Sequence, residues 1–93
     1  MYEVIYFDWN GTRNELEEYC KKVKAACVKN GLTYKGCHGP PQDRYHYAIF
    51  IENEKVAPST PEYDSFNPVF GESGGKPPQM GHLIFKYYVG MGI

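Results

Sequence analysis

Apolar residues along this chain recur first at every second position, then at every third or fourth, then at every second again. Tyr2–Trp9 (YEVIYFDW) is dense in β-branched and aromatic residues and predicts a strand. Its alternate positions give two largely apolar faces: Ile5, Phe7 and Trp9 on one, Val4 and Tyr6 with Asp8 on the other. Residues 10–12 (NGT) break the strand, and Thr12 followed by Glu15 is the T-x-x-E pattern of a capping box. From there Leu16, Tyr19, Cys20, Val23, Ala26 and Cys27 recur at helical spacing, while Lys21, Lys22, Lys24 and Lys29 fill the opposite side. Asn30 and Gly31 supply a left-handed stop, so the spacing predicts a helix over 13–30.

The period of two then returns. Residues 32–38 (LTYKGCH) predict a second strand, 39–43 (GPPQD) a turn, and 44–52 (RYHYAIFIE) a third strand. Tyr45, Tyr47, Ile49 and Ile51 make a core face on that third strand. His46, Ala48, Phe50 and Glu52 make a face that is cleanly neither core nor solvent. Residues 53–81 hold five of the seven prolines and no sustained period. Thr60 and Pro61 have the chemistry of a short helix start, and Tyr63, Phe66, Phe70 and Met80 offer apolar anchors. Irregular stretches this long in a compact domain serve as lids, binding loops or interface elements. Residues 82–89 (HLIFKYYV) predict the fourth strand, with Leu83, Phe85, Tyr87 and Val89 on one face and Ile84, Lys86 and Tyr88 on the other.

Composition sharpens this picture without changing it. A single domain over 1–93 is near the small end of independently stable chains, enough for one helical layer on one sheet. Aromatic residues are 16% of the chain, nine of them tyrosines that are apolar in body and polar at the tip. A net charge of −1 carries no electrostatic footprint for nucleic acid or for an anionic membrane. No apolar run reaches membrane-spanning length, and the N-terminus lacks the basic and small-residue pattern of a signal peptide. Three cysteines fit a disulfide framework poorly. Cys20 and Cys27 are two helical turns apart, about 10.5 Å along the axis and too far to bridge. The expectation is a cytoplasmic chain with reduced thiols, in which Cys20 and Cys27 are small core residues and Cys37 has no activating partner.

Candidate chemistry comes mainly from pairing the strands. Antiparallel pairing of the first and fourth strands brings Asp8 near His82, with Tyr6, Lys86 and Tyr88 on neighbouring positions. A carboxylate orienting an imidazole in a partly apolar cleft is general acid/base equipment, and a plain strand-end ion pair is the simpler alternative. The candidate catalytic residues are therefore Asp8 and His82, and the candidate ligand-binding residues Tyr6, His46, Lys86 and Tyr88. A hairpin centred on Gln42 would set His38 opposite His46. Cys37 and His38 project from opposite faces, however, and His46 and His82 are too far apart to share one metal, so no metal site and no cofactor are expected. The segment 71–77 (GESGGKP) lacks the spacing of a phosphate-binding loop and reads as open surface loop.

The order strand, helix, strand, strand, irregular segment, strand resembles the βαββαβ unit of ferredoxin-like domains, with the second helix short or replaced by Pro/Gly-rich loop. That resemblance implies an α+β fold with a four-stranded sheet, expected here to be mixed, with the first and third strands as parallel central neighbours. One helical layer leaves the other sheet face open, and here that face is apolar: Val4, Tyr6, Ala48, Phe50, Ile84 and Tyr88. Either residues 53–81 or a second copy of the chain must cover it. The latter arrangement is similar to the dimeric α+β barrel families, which include small cofactor-independent monooxygenases, lyases, isomerases and stress-response proteins. The resemblance implies a homodimer holding a small organic ligand in a Tyr/His-lined pocket, with acid/base or monooxygenase-like activity. A non-enzymatic interaction module is the alternative reading. The RNA-recognition module shares the same element order and places aromatics on its first and third strands, but here Tyr45 stands where its glycine belongs and basic side chains are sparse.

Overall fold

The computed structural model describes residues 1–39, 47–54 and 66–93. β1 (Tyr2–Trp9) lies at the centre and leads into α1 (Arg13–Lys29), then β2 (Thr33–His38), β3 (Tyr47–Glu52), α2 (Phe66–Glu72) and β4 (Met80–Tyr88). The helix begins as its sequence dictates. The Thr12 hydroxyl accepts from the Glu15 amide at 3.1 Å, and the Glu15 carboxylate accepts from the Thr12 amide at 2.9 Å, which satisfies two otherwise open donors. Gln79 adds a third partner by donating its side-chain amide to Glu15 at 2.6 Å. At the other end Asn30 caps the helix, and Gly31 turns the chain away at φ 72°.

The four strands form one sheet in the order β2-β3-β1-β4, and all three ladders are antiparallel. This corrects the expectation of a mixed sheet with the first and third strands parallel. The crossover through α1 returns the chain parallel to β1 at β2, one strand further out, and β3 fills the gap in the opposite sense. The central β1–β3 ladder runs without a break from Tyr2 opposite Glu52 to Phe7 opposite Tyr47. Both outer strands are irregular. β2 slips register between Tyr34 and Gly36, where Gly36 has φ 112°, and β4 slips where it passes from Tyr6 to Asp8 of β1.

Both helices lie on one face of the sheet. α1 lays Tyr19, Val23, Ala26 and Cys27 onto Ile5, Phe7, Trp9, Ile49 and Ile51, all buried. Trp9 stacks on Tyr19 with centroids 6.0 Å apart, and its indole N–H donates to the Thr12 carbonyl at 3.0 Å. The Pro/Gly-rich stretch before β4 is anchored rather than open. Val69 of α2 and Met80 enter the core, Phe70 packs edge-on against Phe85, and the Ser73 hydroxyl donates to the Phe70 carbonyl at 2.9 Å. β4 consequently starts at Met80, two residues earlier than its hydrophobic alternation suggests. Thr60, Pro61 and Tyr63 lie outside the described residues, as do Arg44, Tyr45 and His46.

Three substitutions, two on α1 and one at its N-cap, separate packing from capping. Val23→Ala should cost about 2 kcal/mol of unfolding free energy by emptying a fully buried site, whereas Val28→Ala, on the exposed side, should stay within about 0.5 kcal/mol. Thr12→Ala should cost about 1 kcal/mol. The hydrogen bonds from Thr12 and Gln79 hold the Glu15 carboxyl below its ordinary range, so its contribution is whole above that range and lost as pH falls through it. Urea titrations of the three variants, with Thr12→Ala repeated in acid, check these values.

Candidate functional site

The face of the sheet away from the helices carries Val4, Tyr6 and Asp8 from β1, Ala48 and Phe50 from β3, and Ile84, Lys86 and Tyr88 from β4. Val4 has 0% exposure, whereas Ile84 keeps 50% and Tyr88 49% of their surface in solvent. Tyr6 and Tyr88 lie on either side of the Val4–Lys86 pair, and their hydroxyls meet at 3.0 Å. That hydrogen bond, with a smaller contribution from burial, pushes the Tyr6 phenol above its ordinary value of 10.0.

Next to this pair the Asp8 carboxylate meets Nδ1 of His82 at 2.6 Å. The carboxylate side chain is 13% exposed and the imidazole 87% exposed, so an inward carboxylate holds an outward ring. The bulge in β4 makes this possible: three residue steps from Ile84 to Gly81 face two from Tyr6 to Asp8. His82 sits inside the bulge at φ 48°, a conformation that β-carbon sterics make uncommon outside glycine. Asp8, adjacent to Tyr6 on the same side of β1, is about 7 Å along the strand from it. An Asp–His pair and a tyrosine pair thus share one apolar surface.

Of the residues expected at the site, Asp8, His82, Tyr6, Lys86 and Tyr88 share this face. His46 lies outside the described residues. His38 is paired with Ala48 and sets its ring edge-on to Phe50 at 5.3 Å, so it does not stand opposite position 46. Among the described residues no group of three or more His, Cys, Asp or Glu side chains is arranged to hold a metal ion, and no helix is long and apolar enough to cross a membrane.

A second cluster lies on the helix side. Cys20 of α1 and Cys37 of β2 line one cavity with Tyr34, and all three pack against the core. The hydrogen bond from Cys37, aided by Tyr34, pulls Cys20 down to about 7 against the opposing effect of burial. Cys37 is pushed up by the same bond and by burial. Cys27 is the inert core thiol expected: burial, with the Glu3 charge adding, raises it to about 11. Cys20 thus packs against the core as expected, whereas the expectation that Cys37 has no neighbour able to act on it is corrected by Cys20. The sequence held a usable signal, since Cys20 is on the buried stripe of α1 and Cys37 on the helix-facing side of β2. The two also line a cavity of about 880 Å³ between α1 and the β2–β3 side of the sheet, with Trp9, Tyr34 and Tyr47.

Comparison of the chain with protein-family models, with curated proteins and with solved structures returned no match.

The tyrosine pair sets an alkaline limit. Because Tyr6 is favoured in its protonated form, the pair's contribution is whole below about pH 10 and lost as pH rises beyond. Tyr6→Phe should show a shallower loss of thermal stability above about pH 10 than the unsubstituted chain, with Tyr19, raised to about 12 by burial, accounting for part of what remains. Melting curves across the alkaline range, read with tyrosinate absorbance, check this.

Proposed function

We propose that the chain is a ferredoxin-like unit that dimerises through the sheet face away from the helices and holds a small organic ligand between the two sheets. The strand order β2-β3-β1-β4, with α1 between β1 and β2 and α2 between β3 and β4, supports the ferredoxin-like reading. The proposal rests above all on the Asp8–His82 contact of 2.6 Å beside the Tyr6–Tyr88 hydroxyl pair, on a face that also carries Val4, Phe50 and Ile84. A second sheet laid over that surface would remove Ile84, Tyr88 and Tyr2 from water. It would also enclose the exposed edge of His82, and an enclosed imidazole held by a carboxylate is suited to moving a proton on a bound molecule. Asp8 and His82 are then the acid/base candidates, with Tyr6, Lys86 and Tyr88 contacting the ligand. The positive φ of His82 supports this reading, since a strained backbone that fixes one side chain is characteristic of functional positions.

One observation favours a rival. Tyr6 and Tyr88 already satisfy each other's hydroxyls, which suits a dry subunit interface in a non-enzymatic interaction module. Single-stranded nucleic acid is disfavoured, because Asp8 and Glu52 share this side of the sheet and Glu52 is paired to Lys35 at 3.2 Å.

Light scattering after gel filtration should give a dimer for the unsubstituted chain and a monomer for Ile84→Asp, whose circular dichroism stays unchanged. A set of small aromatic acids and ketones should then shift amide resonances near Tyr6, Phe50, His82 and Tyr88 in the dimer, and His82→Ala should abolish those shifts. A monomeric unsubstituted chain ends the proposal; a dimer that takes up none of these compounds supports the rival.

A further inference from the structure

We propose that Cys20 and Cys37 form a thiol–disulfide exchange site, with Cys20 as the attacking sulfur and Cys37 as the resolving one, acting on a small carboxylate-bearing disulfide taken into the cavity beside them. This site is on the helix side of the sheet and is independent of the function proposed for the opposite face.

Three observations carry it. First, the two thiols come from different elements, α1 and β2, yet line one cavity together with Tyr34, close enough that each acts on the other's charge. A neighbouring donor on a sulfur stabilises its thiolate, which is the nucleophile in exchange. Second, neither thiol is sealed in the core. Cys20 and Cys37 are half-buried, whereas Cys27 one turn-pair further along α1 is fully buried, so the fold distinguishes the two kinds of cysteine. Third, both open on the cavity of about 880 Å³, which is large enough for a peptide-sized disulfide. Its wall on α1 carries Arg13, Lys21 and Lys24; Arg13 and Lys21 are paired with Glu17 and Glu18 at 3.1 and 3.0 Å, and Lys24, for which the described residues supply no acidic partner, is the cation that a ligand carboxylate would meet.

The exchange is balanced by the disulfide itself. The Cys20 thiolate attacks one sulfur of the ligand, forming a mixed disulfide and releasing the other half as a thiolate that takes up the proton lost by Cys20. The Cys37 thiol then attacks Cys20 Sγ, its proton passing to the second departing sulfur. The mixed bond breaks, the Cys20–Cys37 disulfide forms and a second small thiol leaves. Two protein thiols are oxidised and one small disulfide is reduced to two thiols. Tyr34, already bonded to Cys20, is placed to hold the thiolate before the first step and to give way as the sulfur is consumed.

The test uses the full chain and oxidised glutathione as the probe. Peptide mapping after the reaction should join the α1 peptide to the β2 peptide through Cys20 and Cys37, within one molecule. Cys37→Ser should stop at a stable glutathione adduct on Cys20, and Cys20→Ser should form neither adduct nor bridge, whereas Cys27→Ser should behave as the unsubstituted chain. A paired Lys21→Glu, Lys24→Glu variant should react roughly tenfold more slowly with oxidised glutathione, yet no more slowly with cystamine, a cationic disulfide of similar chemistry. Because a serine variant can fail for reasons of folding, iodoacetamide labelling of the unsubstituted chain gives a second measurement. Cys20 should be modified first, with a rate that rises through about pH 7, well below an ordinary thiol. Labelling of Cys37 before Cys20, a bridge between molecules instead of within one, or equal loss of rate toward both disulfides would each overturn the assignment.

Discussion

The structure depends on the seating of one helical stripe across two strands. Tyr19, Val23, Ala26 and Cys27 of α1 lie over the β1–β3 pair, where Ile5, Phe7, Ile49 and Ile51 are buried to within 2%. Burial of side chains of this size is worth roughly 1.5–3 kcal/mol each, far more than any of the surface ion pairs on α1 supplies. Arg13–Glu17 and Lys21–Glu18, for example, are exposed pairs at 3.1 and 3.0 Å. Everything else follows from where that stripe is placed. Both described helices lie on one side of the sheet, the crossover through α1 returns the chain at β2, outside β3, and Cys20, on the flank of the stripe, is carried to the cavity that Cys37 also lines.

The two sides of the sheet consequently have different chemistry. On the side away from the helices hydroxyls and an Asp–His pair lie beside apolar residues, and their partners come from β1 and β4. On the covered side sulfur and a phenol come together from α1 and β2, at the flank of the core. Two separate clusters of polar groups fit in a chain this small because β1 and β3 supply nearly all of the sheet's fully buried apolar residues, leaving the outer strands free to carry other residues.

Local signals in the sequence were sufficient wherever the determining contacts are local. The capping box, the α1 stripe and the Asn30–Gly31 stop lie within a few residues of one another, and the helix matches them to within one residue. The Asp8–His82 contact was legible for a different reason: antiparallel pairing of the first and last strands brings the end of one to the start of the other. The direction of β3 relative to β1 was not legible, because alternation reports which face a residue occupies and not which strand is its neighbour. The Cys20–Cys37 meeting was missed because each cysteine was weighed on its own element, while the contact exists only between layers. Glu3 was passed over as well, although its parity with Ile5 and Phe7 carries this carboxylate to the core side, where it is at 0% exposure.

The two irregular outer strands have a further consequence. An edge strand offers a row of amides and carbonyls to any passing chain, and a regular one is an open invitation to add another strand. Here β2 is broken at Gly36 and β4 at His82, while the inner ladder is unbroken. Each break puts a kink and an extra residue into the strand that a newcomer would have to match. Growth of the sheet sideways into fibrils is therefore obstructed at both margins, and the bulge that sets the His82 ring against Asp8 is also what interrupts the β4 edge.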